Sequence, residues 1–129
     1  CLQAKMQVNA SGHLEVNEEL IPSGVVLPCE GKFDFSTLRE VRENLDDCFV
    51  LSSEHACTVE QNGNRMEVWT DFPALQIYTG AKLHAPYQAN QGIAIEPEFY
   101  PDSPNHPEFP STVLNPGDRF HKYVEYRFF

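Results

Sequence analysis

A chain of 129 residues with 41% hydrophobic and 12% aromatic content is the size of one globular domain, able to bury about two-thirds of its unfolded surface. Lys+Arg 9 against Asp+Glu 19, a formal charge of −10, argues against a nucleic-acid phosphate backbone or an anionic membrane surface as partner. No apolar run approaches the roughly 20 residues of a membrane-spanning helix, and no basic-then-apolar signal stretch opens the chain.

The four cysteines (Cys1, Cys29, Cys48, Cys57) show no CxxC or zinc-ribbon spacing. They read as reduced thiols packed as small hydrophobes, which fits a cytoplasmic protein. The five histidines (His13, His55, His84, His106, His121) are scattered without HxH or HExxH, so no metal site is expected.

In chain order, residues 1–8 alternate weakly through Leu2, Ala4, Met6 and Val8, as a strand with one buried face does. Asn9 to Gly12 reads as a turn, His13 to Val16 as a short strand, and Ile21 to Gly24 as a second turn before the apolar Val25-Val26-Leu27-Pro28. Thr37 and Glu40 have capping-box spacing, which predicts one helical turn over about 37–42. Asn44 to Leu51 is a polar approach into an apolar strand.

The clearest local signal follows. Residues 55–60 and 65–70 flank Gln61-Asn62-Gly63-Asn64, and Asn-Gly is a strong hairpin turn. Ala74 to Gly80 reads as a strand with Gln76 and Tyr78 on one face, and 82–91 as a polar loop. After the Asn115-Pro116-Gly117-Asp118 turn, 119–129 reads as a final strand with Phe120, Val124, Tyr126 and Phe128 on one face. Many short strands between Gly, Pro and Asn turns predict an all-β, antiparallel β-sandwich.

The richest stretch is Gly92-Ile93-Ala94-Ile95-Glu96-Pro97-Glu98-Phe99-Tyr100-Pro101-Asp102-Ser103-Pro104-Asn105-His106-Pro107. Strand side chains alternate, so Glu96 and Glu98 share a face roughly 7 Å apart. A Glu-Pro-Glu of this kind is often only a solvated edge strand, with Pro97 where no ladder donor is needed. Carboxylates roughly 5–9.5 Å apart also suit sugar chemistry. Glycoside cleavage is the weaker option, because both groups lie on one side of the sugar instead of flanking the bond.

This stretch resembles the C-terminal signature of the aldose 1-epimerases, the galactose mutarotase family, in which a strand ending Leu-Glu precedes a Pro-Asp-(small)-x-Asn-x-Pro turn. Four further segments are similar to family motifs and occur in the family's order: Ile21-Pro22-Ser23-Gly24, Phe33-Asp34-Phe35, Leu45-Asp46-Asp47-Cys48-Phe49 and Ala74-Leu75-Gln76-Ile77-Tyr78-Thr79-Gly80. The resemblance implies a galactose mutarotase-like supersandwich and a catalyst that interconverts α- and β-anomers of hexoses such as galactose and glucose, without metal or organic cofactor.

It also implies roles. Glu96 matches the general base on the sugar's C1 hydroxyl, and Asp46 and Gln76 match groups that contact substrate. On residues alone, Asp46 is equally a turn carboxylate and Gln76 an outward strand residue. Burial against Ile93, Ile95 and Phe99 is expected to raise the proton affinity of Glu96. Glu98 is expected to face solvent or a cation.

Three positions depart from the family pattern: Asp47 for a frequent His, Ala81 for a frequent Asn, and Pro97 for a frequent Thr or Ser. Pro97 bears on the course of the strand that carries Glu96. A general-acid histidine in an Asn-His-x-Tyr-Phe-Asn context has no match here. The chain is therefore expected to be the C-terminal half of a longer mutarotase, with an N-terminal half or a second chain as partner beside the monosaccharide. The rival reading is a non-catalytic carbohydrate-binding module, with Trp69, Tyr78 or Tyr87 stacking on sugar faces.

Overall fold

The computed structural model describes residues 1–129. It contains ten strands and no α-helix: β1 (Lys5–Val8), β2 (Ala10–Val16), β3 (Pro22–Leu27), β4 (Arg39–Glu40), β5 (Asp46–Leu51), β6 (His55–Gln61), β7 (Asn64–Thr70), β8 (Ala74–Tyr78), β9 (Ala94–Glu98) and β10 (Val124–Phe128). They form two antiparallel five-stranded sheets, ordered β10-β7-β6-β1-β4 and β3-β2-β5-β8-β9. The expected β-sandwich is therefore the architecture. No helix is long and apolar enough to cross a membrane.

Side-chain alternation sets the core. Met6 and Val8 of β1, Cys57 of β6 and Val68 of β7 meet Phe49 of β5 and Leu75 and Ile77 of β8 across the gap between the sheets. Phe35, Val41 and Leu45 enter the same cluster from connecting segments. All four cysteines are free thiols, and Cys48 and Cys57 are buried.

The hairpin forms where the sequence places it. Asn62 and Gly63 both have positive φ (52° and 78°), and Gln61 pairs with Asn64, the backbone a two-residue type I′ turn requires. β9 runs in continuous register against β8 from Ala94 to Glu98, so Pro97 does not displace Glu96. Its place at the edge of the sheet is one where proline is tolerated.

Four local expectations fail, because which segments pair decides bounds that local spacing does not reveal. The helical turn over 37–42 is instead an extended segment: Arg39 and Glu40 pair with β1, and the Val41 amide donates to the Ala4 carbonyl at 3.0 Å. The Arg39 guanidinium lies over the Phe35 ring and donates to the carbonyls of Gly31, Lys32 and Asp34.

Residues 10–12 are not a turn but the start of β2, with a register shift between Ala10 and Gly12. The turn expected at 21–24 lies earlier. The Asn17 side chain accepts from the amides of Glu19 and Ile21, Leu20 takes φ 63°, and Pro22 already begins β3. The last strand is shorter than expected, because only 124–128 pair with β7. Thr70 and Asp71 hold Tyr123 in place just before it.

Gly12 is required by close packing. A Cβ there would lie 2.6 Å from the Leu27 carbonyl oxygen and 2.7 Å from a Val26 methyl, whereas a Cβ on Gly92 meets nothing within 4 Å. Gly12→Ala should therefore cost about 1–3 kcal/mol, the usual range for overpacking. Gly92→Ala should stay within about 0.5 kcal/mol of the parent in urea titrations. Equal stability of the two variants would mean that β2 and β3 separate freely at this point.

Candidate functional site

The side chains that alternate away from the core on β5, β8 and β9 form one face. The register aligns Asp46 with Tyr78 and Ala94, Cys48 with Gln76 and Glu96, and Val50 with Ala74 and Glu98. Asp46, Gln76 and Glu96, the three residues singled out in the sequence, thus lie on adjacent strands and the same side. Strand spacing of about 4.8 Å and a rise of about 3.3 Å per residue put the Asp46 and Glu96 Cα atoms roughly 12 Å apart.

Two of the three are joined directly. The Gln76 amide Nε2 donates to Asp46 Oδ1 at 3.0 Å, and both side chains are half-buried. This bond orients the glutamine so that its carbonyl oxygen and the remaining N–H face outward as one acceptor and one donor. The neighbouring Asp47 points elsewhere. Its Oδ2 accepts from the Asp46 backbone amide at 3.0 Å and pairs with Lys32 at 3.4 Å.

Glu96 is exposed, not buried against Ile93, Ile95 and Phe99 as the apolar run suggests. Ile95 packs toward the core cluster on the other side of β9, as alternation demands. Glu98 also departs from expectation. It is half-buried, forms no ion pair, and lies opposite Ala74 of a small apolar cluster. Leu14, Cys48, Ala74 and Phe109 form that cluster, with Val50 and Tyr100 packed against it.

Burial, and then the charge of Glu96, raise the Glu98 pKa above the ordinary carboxylate value. The same surroundings push the Cys48 thiol up to about 12, mainly by burial and secondarily through Glu98 and Asp47. Cys48 is thus a packing residue beneath the face and not a nucleophile.

One end of the face is closed by the segment after β9. His106 there pairs with Asp102 at 3.1 Å and Glu108 at 3.3 Å, and its ring packs on Phe109. At the other end, a cleft of about 280 Å³ opens beside Asp46 and Tyr78, bordered by Lys32, Asn44 and Lys82. A second cleft of about 240 Å³ lies across the Tyr78 ring, between Leu83, Ile93 and Ala94. The larger polar hollow of about 410 Å³ is at the β6–β7 hairpin, on the other sheet. No three His, Cys, Asp or Glu residues come close enough together to hold a metal ion.

The model for the family described as aldose 1-epimerase matches residues 1–127. The chain belongs to the aldose 1-epimerase family. It is 32% identical to the aldose 1-epimerase of Escherichia coli over 153 aligned residues, which cover 96% of this chain and 44% of that protein. Identity to the galactose mutarotase of Mus musculus is 29%, over 96% of this chain and 43% of the relative. The fold matches the crystal structure of a GalM/aldose epimerase homologue from C. elegans with a TM-score of 0.93 and 24% identity, covering 98% of this chain and 46% of the other. The chain spans less than half the length of these family members.

Of the aromatics considered for sugar stacking, only Tyr78 is on the face just described. Trp69 stacks on His55 in the other sheet and carries Arg127 over its ring, and Tyr87 is exposed in the 82–91 loop. Glu98 was the residue least legible in the sequence. The signal for its face was the two-residue spacing from Glu96, but nothing local announced its burial.

Glu98 yields a pH-dependent prediction. An acid whose pKa is raised on folding holds its proton more firmly in the folded state, so stability falls as pH rises through its titration. Glu98→Gln should therefore raise the melting temperature at pH 7 relative to the parent. The difference should fade toward about pH 4 and below, where the parent carboxyl is protonated in both states. A difference that is constant with pH would assign the effect to packing.

Proposed function

We propose that the polypeptide carrying this chain is an aldose 1-epimerase that interconverts the α- and β-anomers of hexoses such as galactose and glucose. The observation that carries this reading is the meeting of Asp46, Gln76 and Glu96 on one solvent-facing sheet face of a chain matched to the family over residues 1–127.

In this reading the Glu96 carboxylate takes the proton from the C1 hydroxyl while a general acid delivers one to the ring oxygen. The C1–O5 bond breaks to give the open-chain aldehyde. Rotation about C1–C2 presents the other carbonyl face, the C5 hydroxyl adds to C1, and the two protons return. The exposure of Glu96 supports its role, since a base must reach the substrate proton within about 2.6–3.2 Å. Asp46 accepts from, and Gln76 both accepts from and donates to, ring hydroxyls on the same face. No step calls for a cofactor.

The acid and part of the sandwich come, in this proposal, from residues outside the 129. His13 is buried and stacked on Phe33, and His55 is stacked on Trp69. His106 is held between two carboxylates. On β10, Val124, Tyr126 and Phe128 share the face of buried Val68 yet are exposed. An edge strand with a bare apolar row is a docking surface for further strands. The proposed occupant is the other half of a family-length protein, or a second chain equivalent to it.

Polarimetry on freshly dissolved α-glucose or α-galactose tests the reading. The full natural polypeptide should accelerate the approach to the equilibrium rotation, and Glu96→Gln should slow it by about 10²–10⁴-fold, the contribution of one positioned acid–base group. The 129 residues alone should be a poor catalyst. Full activity from them would move the acid into this chain, with His84 and His106 the first to mutate. Sugar binding without any acceleration by the full polypeptide would overturn the epimerase in favour of a binding module.

A further inference from the structure

Resting on the epimerase reading, the geometry points to Tyr78 as a further substrate-contacting residue, whose phenol donates a hydrogen bond to one hydroxyl of the bound hexose and so contributes to specificity. Tyr78 is directly opposite Asp46 in the β5–β8 register and on the same face as Gln76. Its half-buried ring is the wall shared by two clefts, one bordered by the charged Asp46 and Lys82 and a more apolar one with Leu83 and Ile93.

The hydroxyl is held and polarised in one direction. The Lys82 backbone amide donates to the Tyr78 oxygen at 2.8 Å, and no acceptor in the chain takes the phenolic proton. A phenol that already accepts from an amide has one O–H left to give, and here it opens beside Asp46. A hexose hydroxyl accepting from Tyr78 can donate its own proton to Asp46, whose second oxygen is engaged by Gln76. This pairing of donor and acceptor across neighbouring strands suits a neutral polyol. The apolar cleft on the far side of the ring suits the C–H surface of a pyranose.

The test uses the full natural polypeptide and its anomerisation kinetics with galactose, glucose and the series of monodeoxy hexoses. Tyr78→Phe keeps the ring and removes the donor. It should raise KM about three- to tenfold, as loss of one neutral hydrogen bond does, with kcat changed by less than about twofold. In the parent, one monodeoxy sugar lacking the partnered hydroxyl should pay a similar KM penalty, and that penalty should vanish in Tyr78→Phe. A merely structural tyrosine would leave the deoxy-sugar pattern unchanged in the variant.

Tyr78→Leu, which also removes the ring, should raise KM further for every sugar. An unaltered KM in Tyr78→Phe, or a deoxy-sugar profile identical in parent and variant, overturns the role of Tyr78 while leaving the epimerase standing. Should Tyr78→Phe fail to fold, the parent decides alone: no monodeoxy sugar with a KM raised more than about twofold overturns the proposal. A parent that neither binds nor epimerises any hexose overturns both.

Discussion

Everything at the site depends on the two-residue alternation of β5, β8 and β9 being held in register by their ladders. Phe49, Leu75 and Ile77 drive one face into the gap between the sheets, where they are fully buried. The same backbone then has no choice but to turn Asp46, Gln76, Tyr78, Glu96 and Glu98 outward together. A slip of one residue in either ladder would put carboxylates in the core and phenylalanine in the cleft. The energy that guards against it is that of several fully buried apolar side chains, about 1.5–3 kcal/mol each. Function and core are thus two sides of one constraint.

On that outward face, charge is handled differently at each strand. Asp46 has its charge shared with the Gln76 amide, and Asp47 on the other side is paired with Lys32. Glu96 remains in solvent, where a ligand can approach. Glu98 carries the burden: partly desolvated and close to Glu96, it has neither cation nor hydrogen-bond donor to offset burial. Such a group weighs against stability at neutral pH, and positions of this kind are commoner at working surfaces than in purely structural sheets.

The family match and the exposed row on β10 bear on the same point from two directions. Relatives more than twice as long contain further chain, and the β10-β7-β6-β1-β4 sheet ends in an edge strand whose core-side residues are exposed. A sandwich of five strands on each side leaves that row bare, since the facing sheet ends at β3 and β9. The exposed apolar row is the surface on which the proposed further strands would dock.

Much of this was legible in the sequence because it is local. The Asn62-Gly63 hairpin follows from which residues tolerate positive φ. The shared face of Glu96 and Glu98 follows from the strand period, and the run of short strands between turns follows from punctuation by Gly, Pro and Asn. The ordered motifs around Asp46, Gln76 and Glu96 carried the family. Tertiary structure alone decided the rest. Arg39 and Glu40 became a strand because β1 offered a ladder more than thirty residues away, and Gln76 found Asp46 thirty residues earlier in the chain. Glu98 became the half-buried carboxylate and Glu96 the exposed one because burial depends on what distant segments cover. Local sequence sets which way a side chain points, but long-range packing sets whether it meets water, protein or an empty cleft.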